Sequence, residues 1–166
     1  NDVAMREGPT SILTGPNQGG KTTYLQAIGL TFVLAQAGLP VPGTQARLSP
    51  VDGLFTHYPV EEALEKGTGR LGDEAKRLHD VFGRAPRQSL ILLNETFATT
   101  SAGESFYLAQ DVVQVLQLMG VRAVFATHLH DLAAAADELN ATTTGDSQVI
   151  SLVASPIATG SWRFRP

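Results

Sequence analysis

Short apolar runs alternate with stretches of helical periodicity along this chain of 166 residues. Residues 11–14, 89–93 and 123–127 have the length and apolar character of strands buried in a parallel sheet. Apolar positions at helical spacing predict three helices, marked by Leu25, Ile28, Phe32 and Ala35, by Leu71, Ala75, Leu78 and Phe82, and by Phe106, Ala109, Val113 and Leu116. The alternation predicts an α/β fold with a mostly parallel sheet flanked by helices, and a ligand site at the carboxyl ends of the strands.

The remaining segments are less regular. Residues 45–58 are predicted to be extended, with Ala46, Leu48, Val51, Leu54 and Phe55 interrupted by a turn. Residues 60–69 are expected to form a mobile loop, residues 140–148 a second loop, and Asp131 to cap a short helix. Residues 149–153 and 161–165 are predicted to pair as antiparallel strands at the sheet edge.

Composition narrows the class of protein. Hydrophobic residues make up 43% of the chain, and the length suits one domain, so we expect a single domain over residues 1–166. The net charge of −4 argues against a nucleic-acid-binding surface on this segment, because phosphate neutralisation needs clustered Lys and Arg. The absence of cysteine, signal peptide and bilayer-spanning stretch favours a cytoplasmic protein without membrane contact. We also expect the chain to be a fragment of a longer protein.

One glycine-rich segment carries the clearest chemistry. Residues 15–22 read Gly-Pro-Asn-Gln-Gly-Gly-Lys-Thr, which fits G-x-x-x-x-G-K-[ST] between a predicted strand and a predicted helix. Such a loop turns backbone N–H groups towards phosphate oxygens at a helix N-terminus. The predicted nucleotide-binding residues are Gly15, Pro16, Asn17, Gln18, Gly19, Gly20, Lys21, Thr22 and Thr23. Lys21 would reach the β- and γ-phosphates, and the Thr22 hydroxyl would bind Mg²⁺.

Two further apolar runs end in polar side chains. Asn94 and Glu95 follow the run 89–93, where a phosphate-loop ATPase places a metal-orienting acid and a carboxylate that positions water. Asn94 is therefore a candidate metal residue that brings no charge, and Glu95 a candidate general base. His128 follows the next run and could sense a γ-phosphate, whereas His130 is interpreted as a surface residue and His57 and His79 as structural.

These segments together resemble the ATPase domain (domain V) of the MutS family of DNA mismatch repair proteins, an ABC-type P-loop NTPase fold. The resemblance runs from residue 1 to about residue 135 and rests on six segments: 1–3, 14–25, 52–56, 89–95, 100–101 and 125–132. It implies binding and hydrolysis of ATP with Mg²⁺, coupled to mismatch repair or recombination. It also implies a second copy of the domain that completes each site, DNA contacts through upstream domains, and dimerising helices further downstream.

The chain departs from the family pattern at several positions. Asn94 stands where the family has Asp, and Thr96–Ser101 replaces a segment with glycine and arginine. Residues 68–70 (Thr-Gly-Arg) stand where the family has a Ser-Thr segment that reaches the partner's γ-phosphate, while Glu104 matches a family acid. These departures indicate a divergent paralogue.

Two other classes of function remain as alternatives. A nucleotide-gated dimerisation or clamp module would bind ATP with negligible hydrolysis, and the carboxylate of Glu95 argues against it because a pure binder does not need that group. An unrelated ABC-type transport ATPase would carry a Leu-Ser-Gly-Gly-Gln-like signature, and residues 67–88 contain none.

Overall fold

A computed structural model describes residues 10–59, 69–98, 100–145, 147–156 and 162–165. Strands and helices alternate along it as the hydrophobic pattern predicted. The elements are β1 (Thr10–Thr14), α1 (Lys21–Gln36), β2 (Leu54–His57), α2 (Arg70–Arg84), β3 (Leu90–Asn94), α3 (Ala102–Met119), β4 (Arg122–Ala126), α4 (His130–Ala134), α5 (Ala136–Thr142), β5 (Val149–Pro156) and β6 (Trp162–Arg165).

The strands form one sheet in the order β2-β3-β4-β1-β5-β6. The first five strands pair in parallel, and β6 pairs antiparallel with β5. Ala126 at the end of β4 is in register with both Leu13 of β1 and Asn94 of β3. The segments that leave β1, β3 and β4 therefore begin side by side at one edge of the sheet.

Helices cover both faces of the sheet because strand residues alternate between them. In β3, Ile91 and Leu93 pack in the cluster that contains buried residues of α2 and α3, while Leu90 and Leu92 pack in the cluster that contains buried residues of α1. All four leucine and isoleucine side chains are essentially inaccessible to solvent, and each contributes roughly 1.5–3 kcal/mol by burial. This core fixes the strand ends from which the candidate site is built.

The ends of α3 follow from the sequence. Ser101 precedes the helix, and its side chain accepts a hydrogen bond from the Glu104 backbone N–H, which satisfies one free donor of the first turn. Hydroxyl groups of Thr100 and Ser101 donate in return to the Glu104 carboxylate and lower its pKa. Gly120, with φ of 63°, ends the helix in the left-handed conformation that glycine adopts readily.

Three predictions of local structure need correction. Within 45–58 only Leu54–His57 is a strand, and Ala46 and Leu48 are exposed. An extended apolar pattern forms a strand only where a neighbouring strand pairs with it, and β3 pairs with Leu54–His57 alone. Asp131 does not cap α4: the helix begins at His130, and no side chain of the described residues caps it. The loop predicted from residue 140 starts later, because α5 continues to Thr142.

The buried face of α2 also differs from the predicted one. Leu71 and Ala75 are exposed, whereas Glu74 and Leu78 are buried. The prediction counted apolar residues only and so missed a carboxylate that points inward. The expectations for residues 1–3 and 60–68 lie outside the described residues. Across the part of the chain that the structure describes, no helix has the length and apolar character needed to cross a bilayer.

Candidate functional site

Residues 15–20, the glycine loop, connect β1 to α1 and require unusual backbone angles. Gly15 has φ of 147° and Gly20 has φ of 79°, both in the region that favours glycine. A Cβ on Gly15 would lie 2.4 Å from Cβ of Ala154 in β5, so the loop passes too close to the sheet for any larger residue. The Gly19 N–H donates to the Pro16 carbonyl at 3.0 Å and closes the turn.

Lys21, the first residue of α1, points its side chain back into this loop. Its Nζ donates to the carbonyl oxygens of Gly15 at 2.9 Å and Pro16 at 3.2 Å. Only 6% of the side chain is exposed, and Nζ lies 3.5 Å from Oε1 of Glu95. A buried ammonium group held mainly by neutral carbonyls leaves positive charge available to an anion in the adjoining pocket.

A pocket of about 360 Å³ opens beside Lys21. It is lined by Asn17, Gln18, Gly19, Gly20, Lys21, Thr22, Thr23 and Glu95. No side chain of the described residues caps the N-terminus of α1, so its first N–H groups can bind a ligand, and the positive end of the helix dipole lies here. The chemistry of the lining fits a chain of phosphate groups.

The candidate metal residues lie together next to the pocket. The Thr22 hydroxyl donates to Oδ1 of Asn94 at 3.2 Å, which links the start of α1 to the end of β3. Among the described residues no group of three or more His, Cys, Asp or Glu side chains could hold a metal ion. Mg²⁺ can be bound by few protein ligands together with substrate phosphates, so Thr22 and Asn94 fit such a site only with a phosphate ligand present.

Glu95 lies between two candidate site residues, Lys21 at the start of α1 and His128 after β4. Its Oε2 is 2.7 Å from Nδ1 of His128 and accepts a hydrogen bond from the His128 backbone N–H at 3.3 Å. Its Oε1 faces Lys21. The carboxylate is 21% exposed and lines the pocket, so it can contact both a ligand and water.

Residues 95–98, the Glu95 turn, are held by side chains that the sequence did not reveal. Glu95 has φ of 48° and Phe97 has φ of 63°, which are uncommon for residues other than glycine. The Phe97 N–H donates to Oε1 of the buried Glu74 at 2.9 Å, and the Phe97 carbonyl accepts from the Ser105 hydroxyl at 2.7 Å. The sign of this support in the sequence is Glu74 itself, a carboxylate on a helix that packs against the sheet.

His57 supports the same turn from β2. Its Nδ1 lies 3.2 Å from Oγ1 of Thr96, and the residue is 3% exposed. Burial, assisted by the positive charge of Arg77, lowers the pKa of His57 to about 4. The imidazole is therefore neutral at physiological pH, in agreement with the structural role expected from sequence.

The structure thus brings the predicted residues to one edge of the sheet. Gly15 and Pro16 contribute carbonyls to Lys21, residues 17–23 line the pocket, Asn94 contacts Thr22, and His128 contacts Glu95. His130 is exposed at the start of α4, as expected, and His79 is exposed on α2. Thr68 lies outside the described residues, and Gly69 immediately precedes α2.

Fold and site together define an α/β protein with a glycine-rich loop and a pocket at the N-terminus of α1. Residues 11–155 match the family model described as MutS domain V, and the chain therefore belongs to the MutS family. It is 38% identical over 143 residues to the DNA mismatch repair protein MutS of Brevibacillus brevis, covering 84% of this chain and 17% of that protein.

Two further relatives carry the same description. The DNA mismatch repair protein MutS of Shouchella clausii is 36% identical over 130 residues, covering 78% of this chain and 15% of that protein. The DNA mismatch repair protein MutS of Methanosarcina mazei is 34% identical over 144 residues, covering 84% of this chain and 16% of that protein. The chain therefore spans between 15% and 17% of the length of these curated relatives.

Proposed function

We propose that this domain binds ATP with Mg²⁺ and hydrolyses it, as the ATPase domain of a MutS-like protein in DNA mismatch repair or recombination. The observation that carries the proposal is the pocket formed by the glycine loop, the uncapped N-terminus of α1 and the buried ammonium group of Lys21. These groups supply the N–H donors and the cation that a triphosphate requires. The ABC-type P-loop assignment is part of the same proposal.

Each residue has a defined part in the proposed reaction. The loop amides and Lys21 hold the phosphates, and Thr22 with Asn94 would hold Mg²⁺, which would supply neutralising charge at the phosphate oxygens. Glu95 orients the attacking water, and its contact with His128 connects the carboxylate to the residue after β4. His128 senses the γ-phosphate. Phosphoryl transfer depends mainly on positioning and charge stabilisation, and these groups provide both.

The proposal extends to the partners of the domain. A second copy of the domain would complete each site, and DNA would be bound by domains outside this chain. The net charge of −4 supports the second point, since this segment lacks the clustered basic residues of a DNA-binding surface. The uncharged Asn94 and the residues at 68–70 support a divergent paralogue that hydrolyses ATP slowly.

A nucleotide-gated clamp with negligible hydrolysis is the second candidate, and one observation favours it. Both carboxylate oxygens of Glu95 already have partners, Lys21 and His128, and these contacts compete with the activation of water. In that case the site would bind ATP and change partner affinity without cleaving it. The two candidates differ in whether Glu95 contributes to turnover.

Single-turnover hydrolysis of ATP with Mg²⁺ tests the proposal. We expect Lys21→Ala to weaken ATP binding by roughly 100-fold or more, because it removes the buried cation. Glu95→Gln should leave binding within a few-fold and slow cleavage by about 100-fold or more. Exposed Lys76 on α2 offers a matched control, since Lys76→Ala should change neither. ATP binding without cleavage in the wild type would support the clamp, and absence of binding would contradict both candidates.

A further inference from the structure

The Glu95 turn has a conformation that its own sequence does not favour. Glu95 and Phe97 both have positive φ, and neither is glycine. The Glu95 N–H donates to the Ala126 carbonyl at 2.8 Å, so the neighbouring strand β4 fixes the start of the turn. The second half of the turn leaves the sheet, with one internal bond from the Ala98 N–H to the Glu95 carbonyl at 3.3 Å, and side chains from elsewhere add to its support.

Two helices provide that support at a single residue. Oε1 of Glu74, from α2, accepts the hydrogen bond of the Phe97 N–H, and the hydroxyl of Ser105, from α3, donates to the Phe97 carbonyl. Glu74 is 6% exposed, Ser105 is 2% exposed, and Phe97 is 3% exposed. The backbone of Phe97 is therefore held on both sides, within the core.

We infer that Glu74 is a positioning residue, which holds the Glu95 turn through the Phe97 N–H and so directs the Glu95 carboxylate to the pocket. A charged acceptor makes a stronger hydrogen bond to an N–H than a neutral one, which suits a backbone conformation that is unfavourable by itself. Glu74 reaches Glu95 through the turn, with Phe97 as its hydrogen-bond partner. This inference rests on the proposed function for its effect on turnover.

The inference gives α2 a part in the site. The helix contributes no residue to the lining of the pocket, and yet its carboxylate bonds to the backbone two residues after Glu95. A displacement of α2 would move the Glu74 carboxylate away from the Phe97 N–H and release the turn. The glycine loop would keep its own geometry. Glu74 should therefore affect cleavage and leave nucleotide binding unchanged.

Two variants at one position separate the hydrogen bond from the rest of the side chain. Glu74→Met keeps a similar volume and removes the acceptor, while Glu74→Gln keeps an oxygen that can accept from Phe97. Asp80→Met is the matched control, because Asp80 is an exposed carboxylate on the same helix. All of these are compared with the wild type by residue-resolved amide exchange, equilibrium ATP binding and single-turnover hydrolysis.

We expect Glu74→Met to speed exchange of the Phe97 amide by at least about tenfold, since that amide loses its acceptor. Cleavage should slow by roughly 10- to 100-fold, as expected when a reacting group is misplaced, while ATP affinity stays within about twofold. Glu74→Gln should retain most of the protection of the Phe97 amide and most of the cleavage rate. Asp80→Met should match the wild type in both quantities.

Three results would overturn the inference. The first is an unchanged exchange rate of the Phe97 amide in folded Glu74→Met. The second is a cleavage rate that falls equally in Glu74→Gln and Glu74→Met. The third is a loss of ATP affinity in Glu74→Met that is as large as the loss of cleavage rate. A wild type that does not cleave ATP contradicts the proposed hydrolysis instead. The exchange of the Phe97 amide still decides in that case whether Glu74 holds the turn.

Discussion

Two turns meet at the carboxyl edge of the sheet, and they are held in different ways. The glycine loop obtains its shape locally, from positive φ at Gly15, Gln18 and Gly20 and from the short hydrogen bond between Gly19 and Pro16. The Glu95 turn has positive φ at Glu95 and Phe97, contains no glycine, and is held by side chains from β2, α2 and α3. The loop that lines the pocket is thus encoded within a few residues, while the turn that carries the candidate base depends on distant parts of the chain.

The largest effect should come from breaking the glycine loop within its own backbone. Gly15→Ala places a Cβ 2.4 Å from Cβ of Ala154, at a φ of 147°. We expect it to lower the free energy of unfolding by about 2–4 kcal/mol, from overpacking and backbone strain together. Chemical denaturation measures this loss.

Gly103→Ala is the control for that variant. Gly103 lies in α3, and no described residue outside the helix backbone comes within 4 Å of the position that a Cβ would take there. Alanine should therefore leave stability unchanged or raise it by up to about 1 kcal/mol. Equal effects of the two substitutions would contradict the close approach of the loop to β5.

A second prediction concerns the pH dependence of the Glu95 turn. The pKa of His57 is lowered to about 4 in the folded protein, while the unfolded chain should titrate near the ordinary value of 6.5. Between these values the unfolded state binds the additional proton, so stability falls as pH decreases from 6.5 to 4. The contribution of one such group is at most about 1.4 kcal/mol per pH unit.

His57→Gln should flatten the dependence of unfolding free energy on pH in that window, as followed by denaturation at a series of pH values. His79→Gln, at an exposed position on α2, is the control and should retain the wild-type slope. An identical slope in His57→Gln would mean that His57 is not held neutral beside Thr96.

The smallest predicted effect lies beside the two turns, where Thr22 of α1 contacts Asn94 of β3. Asn94→Asp adds a charge 3.2 Å from the Thr22 hydroxyl, so it should tighten Mg²⁺ dependence several-fold, or about 1 kcal/mol, and raise turnover. The measurement is the rate of hydrolysis as a function of Mg²⁺ concentration. If both the Mg²⁺ dependence and the turnover rate stay unchanged, the metal role proposed for position 94 is contradicted.

The same contrast explains what could be predicted from sequence. The glycine loop, its lysine and the strand ends at Asn94 and His128 follow from local patterns, because glycine spacing and apolar runs are readable along the chain. Glu74 was missed because the partner of this buried carboxylate, the Phe97 N–H, lies 23 residues away in the sequence. The same limit applies to Leu48, whose exposure depends on which residues pair with β3.

The central claim is that the glycine loop and Lys21 form a site for a triphosphate. Equilibrium titration of the wild type and Lys21→Ala with ATP and with AMP, in the presence of Mg²⁺, tests it most directly. We expect the wild type to bind ATP at least about 100-fold more tightly than AMP, and Lys21→Ala to lose most of that difference, because both effects arise at the β- and γ-phosphates. Equal affinity for the two nucleotides, or ATP binding that is unchanged in Lys21→Ala, would contradict the account.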